Sequence, residues 1–451
     1  MTQTLTDKIT AFATATTYAS LPDEVREQAK KLIFDEIACS AFGRRSLAGT
    51  LADSYVQTVA SAPQAQVWGS STRASAGFAA MANGAAGHGE EVDGAHGAGG
   101  HPGSSIVHAA MATAEMLRAT GADLINAVVL GYDVGVRLRW ACGGSFGARR
   151  DKHLHADFLY ALGCAVAASR LMGQDATRMG HALALTTLQA NGLYATYSEE
   201  RHISKSFCEG QYAYAGVAAA QMSAVGLEGN ADIIGAHAGL LDAWGIDGGR
   251  EMVEHRLGED FEIMGAGFKF FNAGYPIHAP LEGVLGLVEE HKIDPAQIAA
   301  VTIEMNDNAR HIVDGRAMHN ICIQDMVAAN LARGGLRLSD RPFPEMLEDP
   351  VFRALRPHIS VESNPEFKDT DSSRLGARVS IVTKDGRTVA KHVKHPRGYE
   401  SFGRVTWEDL ERKWAGELEG CDLDGALRLA KTLDTLEDIS QLSSRFATAR
   451  S

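Results

Sequence analysis

Apolar residues recur at intervals of three and four through most of the chain. Ser20-Leu-Pro-Asp23 supplies a capping residue, an early proline and an acid in the first turn. Val25, Ala29, Leu32, Ile33, Ile37 and Ala41 then share one face, and Gly43 ends it. The same spacing predicts helices over Ala74–Ala86, Ser105–Thr120, Leu124–Trp140, Asp157–Met172, Thr177–Asn191 and Gly210–Ala224. Up to about residue 260 no segment alternates convincingly as a strand. Beyond it the pattern changes. Ala299–Met305 alternates, and Arg378–Val393 reads as a hairpin turning at Asp385-Gly386. Helical stretches at Pro280–His291 and Gln324–Arg333 lie around these strands. In the tail, Thr406-Trp-Glu-Asp409 caps one helix, and Leu427, Ala430, Leu433, Leu436, Ile439 and Leu442 line another. The expected fold class is mainly α. A large helical domain takes 1–265 and recovers the tail 401–451, and a smaller α+β lid domain takes 266–400.

Of 451 residues, 45% are hydrophobic and 22% charged, which fits a soluble globular chain and argues against wholesale disorder. Glycine is frequent at 47 and proline scarce at 12, as in helices packed closely through small residues. The formal net charge of −13 argues against nucleic acid and against an anionic membrane face as partners. Six cysteines without a C-x-x-C pair point to reduced thiols in a cytoplasm rather than to a zinc ribbon or disulfides. No basic start with an apolar core marks a secretory signal, and the apolar run 127–135 is too short to span a bilayer.

The chemistry concentrates in Asn83–Ser105, where His88, Glu90, Glu91, Asp93, His96 and His101 lie among glycines between two Ala-rich helices. So glycine-rich a loop loses much entropy on ordering and normally serves a close approach to a ligand. Pro102-Gly-Ser104-Ser105 opens a helix whose first N–H groups suit a substrate carboxylate, with His101 beside it to exchange protons near neutral pH. Lys205, in Ser204-Lys205 just ahead of a small-residue helix, and Lys269, bracketed by Phe268, Phe270 and Phe271, are candidate charge partners. Three other readings weigh less. A glycine-rich loop holds no metal geometry by itself, so no metal is expected. Gly143-Gly-Ser145-Phe-Gly147 matches G-x-S-x-G but follows a helix, not the strand a nucleophile elbow needs. The glycine run 94–103 lacks the strand–turn–helix setting of a dinucleotide fingerprint.

Several stretches, in this order and spacing, resemble the MmgE/PrpD superfamily. They are Ala65-Gln-Val-Trp-Gly69 with Ala74–Gly84, Glu91-Val-Asp93, His101-Pro102, Leu130–Arg137, Ser204-Lys205, Phe268-Lys269 with His278, and Lys384–Arg387 with His395–Gly398. The resemblance covers about Leu21 to Ile439. It implies a helical domain plus an α+β lid, a homodimer, an active site between the domains, and no cofactor. It assigns Asp93, His101, Lys205, Lys269 and His278 to catalysis, with His155 as a further histidine. The chain departs from the family pattern at Gly94-Ala-His96, Cys208 and Asp325, so the resemblance implies a changed pocket. His96, Tyr194, Tyr197, Arg201 and Cys208 are candidates to line it, with Ser104 and Ser105. The implied activity is a cofactor-independent lyase on a small anionic carboxylate. Dehydration is the leading reaction, decarboxylation or epimerisation the alternatives, and a catalytically retired binding protein the reading from another class.

Overall fold

A computed structural model describes residues 3–144, 152–200, 203–340, 345–368, 372–399 and 405–447. Helix accounts for 59% of it and strand for 9%, so the fold is mainly α, as the spacing predicts. The chain divides into two compact units. The first holds Met1–Gly89, Asp93–Gly267 and Thr406–Ser451, and the second Glu90–Val92 and Phe268–Val405. Among the described residues no helix is long and apolar enough to cross a membrane.

The first unit is built from α1 (Leu5–Ala15), α2 (Asp23–Gly43), α3 (Leu47–Thr58), α4 (Ala76–His88), α5 (Pro102–Leu117), α6 (Gly121–Ala141), α7 (Tyr160–Leu171), α8 (Ala176–Thr187) and α9 (Ile203–Ala224). Side-chain caps fix several starts: Thr4 accepts from the Asp7 N–H, Thr120 from Asp123 and Asp175 from Arg178. Small residues let the inner helices touch backbone to backbone. A Cβ on Gly210 of α9 would lie 2.1 Å from the Met81 carbonyl oxygen of α4, and one on Gly163 of α7 2.4 Å from that of Gly131 in α6. The first approach sets the end of α4, His88, beside the start of α9, Lys205. The tail docks on α2, where Lys413 Nζ and Trp414 Nε1 donate to the two Asp35 carboxylate oxygens at 2.8 and 2.7 Å.

Four details differ from the sequence reading. Ser20 sits in a 3-10 turn, where its hydroxyl accepts the Thr17 N–H instead of capping α2, and α2 starts at Asp23 after Pro22. α9 begins at Ile203, not Gly210, because the Glu199 carboxylate accepts the Lys205 N–H at 2.9 Å and the Ser204 hydroxyl at 2.8 Å. Lys205 therefore stands on the first turn of the helix rather than ahead of it. The tail leucines do not share one helix: Leu423–Lys431 gives way to a 3-10 turn, Leu433–Thr435, and a one-turn helix, Ser440–Ser443, and Leu433, Ile439 and Leu442 stay buried. Two-residue ladders, β1 (Ala65–Gln66) with β2 (Arg73–Ala74) and β3 (Ala95–His96) with β4 (Ala266–Gly267), are too short to show a period of two.

The second unit holds a four-stranded sheet in the order β6 (Ile359–Ser363), β5 (Ile298–Met305), β7 (Ala377–Thr383), β8 (Thr388–Val393). β5 pairs parallel with β6 and antiparallel with β7, and β7–β8 is the hairpin, with Gly386 at φ 86° in its turn. β7 alternates buried and half-buried residues, and its buried Val379 and Ile381 join Val301, Ile303, Leu281 and Val284 in one core under helix α10 (His278–His291).

Candidate active site

Asp93 is the hub of the first unit's polar interior. It follows the end of α4 by five residues and is fully buried. Its carboxylate receives Nδ1 of His88 at 3.0 Å, Nδ1 of His101 at 3.0 Å and the Ser104 hydroxyl at 2.7 Å. The His101 Nδ1–H also donates to the Gly94 carbonyl at 2.8 Å. With Nδ1 held as a donor, the acceptor nitrogen of the neutral His101 ring is Nε2. The rings of His88 and His101 lie 4.2 Å apart. His88 Nε2 in turn accepts from the Lys205 ammonium. One set of protonation states satisfies these contacts: Asp93 ionised, His88 neutral with its proton on Nδ1, and Lys205 charged. Lys205 is 2% exposed, and among the described residues its ammonium makes no ion pair.

Beside this constellation lies a buried acidic cluster. Ser105 donates to Glu209 Oε2 at 2.8 Å, and burial next to Asp157 pushes Glu209 up to about 8. His155 Nδ1 meets the Tyr212 hydroxyl at 2.9 Å, and its Nε2 is 3.7 Å from Asp157. Arg139 Nε is 3.8 Å from the other Asp157 oxygen. Ligand-capable atoms of His155, Asp157 and Glu209 lie within 4.8 Å of one another, the spacing of a divalent-cation site.

The Ser104 and Ser105 hydroxyls thus face carboxylates, not an open anion site. The positive end of α5 is met by Asp93 and Glu36 instead. His96 lies on β3 with Nε2 donating to the Glu262 carbonyl and Nδ1 accepting the Ala98 N–H, both backbone groups. It is built into the loop, which also removes it from any metal set with His88 and His101. Cys208 is half-buried, and burial pushes its thiol up to about 11. Tyr194 is half-buried on a 3-10 turn held by its N–H to the His153 carbonyl. Arg201, Ser145 and the Tyr197 side chain lie outside the described residues.

The second unit carries the other assigned residues. Lys269 is fully buried, and its Nζ donates to the Glu91 carboxylate at 2.8 Å and the Glu91 carbonyl at 3.1 Å. Glu91 takes a left-handed backbone, φ 53°, uncommon for a residue with a Cβ. The three phenylalanines are all engaged. Phe268 is buried, Phe270 carries the Arg397 guanidinium at 4.4 Å, and Phe271 meets the His278 ring at 5.4 Å. His278 Nε2 lies 3.2 Å from the Ala273 carbonyl. Asp325 pairs with His319 at 2.5 Å and with Arg356, which hold it below the usual carboxylate range against the effect of burial.

His88 and Glu91 stand out in the sequence only as loop ionisable groups and possible metal ligands, Glu91 also in the Glu91-Val-Asp93 motif, and Glu36 and Glu209 were missed. Glu36 did leave a signal: it stands four residues after Leu32, an acid on the apolar face of α2.

The chain matches the MmgE/PrpD N-terminal domain over residues 7–250 and the MmgE/PrpD C-terminal domain over residues 271–436. It is 24% identical to cis-aconitate decarboxylase of Homo sapiens over 449 residues, covering 94% of this chain and 90% of that protein. It is 27% identical to cis-aconitate decarboxylase of Aspergillus terreus, covering 87% and 85%. The Mus musculus enzyme of the same name is 23% identical, at 94% and 89%. Matched along nearly its whole length, the chain belongs to the MmgE/PrpD family.

Proposed function

We propose that the chain is a carboxy-lyase that removes CO2 from a small anionic carboxylate of the cis-aconitate type. The observation that carries this is Lys205. A buried ammonium is costly unless an opposite charge compensates it, and here a histidine nitrogen is its partner. A substrate carboxylate is the natural counter-ion. Decarboxylation needs a cation to draw charge from the substrate and one acid to end the reaction. The C–C bond to the departing carboxylate breaks, and its electron pair moves into the neighbouring unsaturated system. His101, as imidazolium, delivers its Nε2 proton to the new carbanion, while Asp93 compensates the charge from the Nδ1 side. Dehydration, the leading expectation from sequence, ranks below this because the similar enzymes are named decarboxylases and because a hydroxyl leaving group needs a second acid. Lys269 and His278 stay assigned by the resemblance, as does a homodimer, which sedimentation velocity tests; a cytoplasmic location rests on the cysteine pattern.

The experiment is incubation with cis-aconitate and with related hydroxy- and unsaturated carboxylates in D2O, read by mass spectrometry. Loss of CO2 with uptake of one deuterium on carbon is expected. Gain or loss of water without CO2 overturns the reading in favour of a dehydratase.

A further inference from the structure

We infer that Glu36 is a positioning residue that works as a neutral carboxylic acid, setting the Asp93–His101 pair from behind. The inference rests on the role proposed above for that pair, but its first test does not.

Glu36 lies near the middle of α2, fully buried. Its Oε1 accepts the Gly94 N–H at 3.2 Å, and Oε2 lies 3.4 Å from the Ser104 hydroxyl oxygen. Both partners lead to the reacting histidine. The carbonyl of Gly94 receives the His101 Nδ1–H, and Ser104 holds Asp93, the other acceptor of that proton. One side chain thus grips both supports of His101. The passage is cut for it: a Cβ on Gly103 would lie 2.0 Å from Glu36 Oε1.

The contacts suit a neutral Glu36. Ser104 has one hydroxyl proton, and the 2.7 Å contact gives it to Asp93. With that proton on Asp93, a protonated Glu36 Oε2 can turn toward Ser104 Oγ across the 3.4 Å contact, while Oε1 accepts the Gly94 N–H. The surroundings agree. Burial, with Asp93 and Asp35 close by, pushes the Glu36 carboxyl well above the usual range, against the opposing pull of the Gly94 N–H and Lys413. His108, whose ring lies under the same turn of α5, is pushed down to about 4 by burial and brings no charge.

The test is Glu36→Gln, whose amide offers the same acceptor and a donor in place of the acid proton, beside Glu36→Leu, which offers neither. In protein labelled with 15N-histidine, long-range proton–nitrogen spectra report which ring nitrogen of His101 carries hydrogen. The resonance is assigned by its loss in His101→Ala. Wild type and Glu36→Gln are expected to show His101 protonated on Nδ1, and Glu36→Leu a mixture of tautomers. On a turned-over substrate, Glu36→Gln should keep kcat within about twofold and leave the pH profile in place. Glu36→Leu should lose kcat by about 10–100-fold at little changed KM. Should Leu not fold, Glu36→Asp, too short to reach both partners, is expected to behave as Leu would. The inference is overturned if the Leu or Asp variant keeps the wild-type tautomer. It is equally overturned if Gln shifts the pH profile or falls as far as Leu, since either result would make an ionised Glu36 the active form.

Discussion

At the scale of the residue, binding and proton transfer fall to different side chains under the proposed function and should separate on mutation. His101→Ala removes the proton donor but leaves Lys205 in place. It should lower kcat by about 10²–10⁴-fold with little change in KM. Lys205→Ala removes the counter-ion that the substrate meets both before and during reaction, so binding and rate should fall together. Lys205→Arg should not restore them, because a planar fork replaces a compact ammonium at a nitrogen-sized contact. Steady-state kinetics and calorimetric affinity check all three, and near wild-type kcat in His101→Ala would shift the role to His155 or His278. In the second unit, Lys269→Met strands a buried Glu91 carboxylate and should cost about 3–5 kcal/mol in urea unfolding, with much of it recovered in the Lys269→Met/Glu91→Gln pair. Asp93, His101 and Lys205 were legible because they stand in family motifs, the first two also in a loop dense with glycine and ionisable groups. Glu36 was not, because its partners lie 58 and 68 residues along the chain. A periodicity reading sees only an acid where an apolar residue belongs.

At the scale of the element, the site depends on how closely α4 and α9 approach. Gly210 lies where a Cβ would sit 2.1 Å from the Met81 carbonyl and 2.9 Å from the Ala85 nitrogen. Gly210→Ala must push the helices apart, at a cost of about 1–3 kcal/mol. It should also draw Lys205 away from His88 and lower activity, although neither residue is touched. Denaturant midpoints and kcat measured together test this, and a neutral substitution would mean that the crossing does not set the site. Apart from α1 and α3, which were missed, the long helices were plain from apolar spacing, as was the hairpin from Asp385-Gly386. Their ends were not. The start of α9 depends on a carboxylate four residues upstream of its first residue, and the tail splits into a 3-10 turn and a one-turn helix that bury its leucines separately. Neither feature has a period.

At the scale of the whole molecule, buried carboxyls tie stability to pH. Glu209 is raised to about 8 in the folded chain, and Glu115 and Glu282 to about 7, each chiefly by burial. Each binds its proton more tightly folded than unfolded. Their contribution is therefore fully present below about pH 4.5 and lost as pH rises through the folded value. His108, depressed to about 4, acts in the opposite sense, and its effect fades as pH rises past 6.5. Between pH 6.5 and 8 the melting temperature should fall, by an amount equivalent to about 2 kcal/mol from Glu209. Glu209→Gln should flatten that slope in calorimetry, and an unchanged slope would show that Glu209 is not the titrating group. The claim on which the rest depends is that Lys205 waits for a substrate carboxylate. The most direct measurement is a crystal structure of the protein soaked with the dicarboxylate left after cis-aconitate loses CO2. The account predicts a carboxylate oxygen within about 3 Å of Lys205 Nζ, with a carbon of the ligand facing His101 Nε2. A ligand bound elsewhere, with Lys205 still on His88 alone, would contradict it.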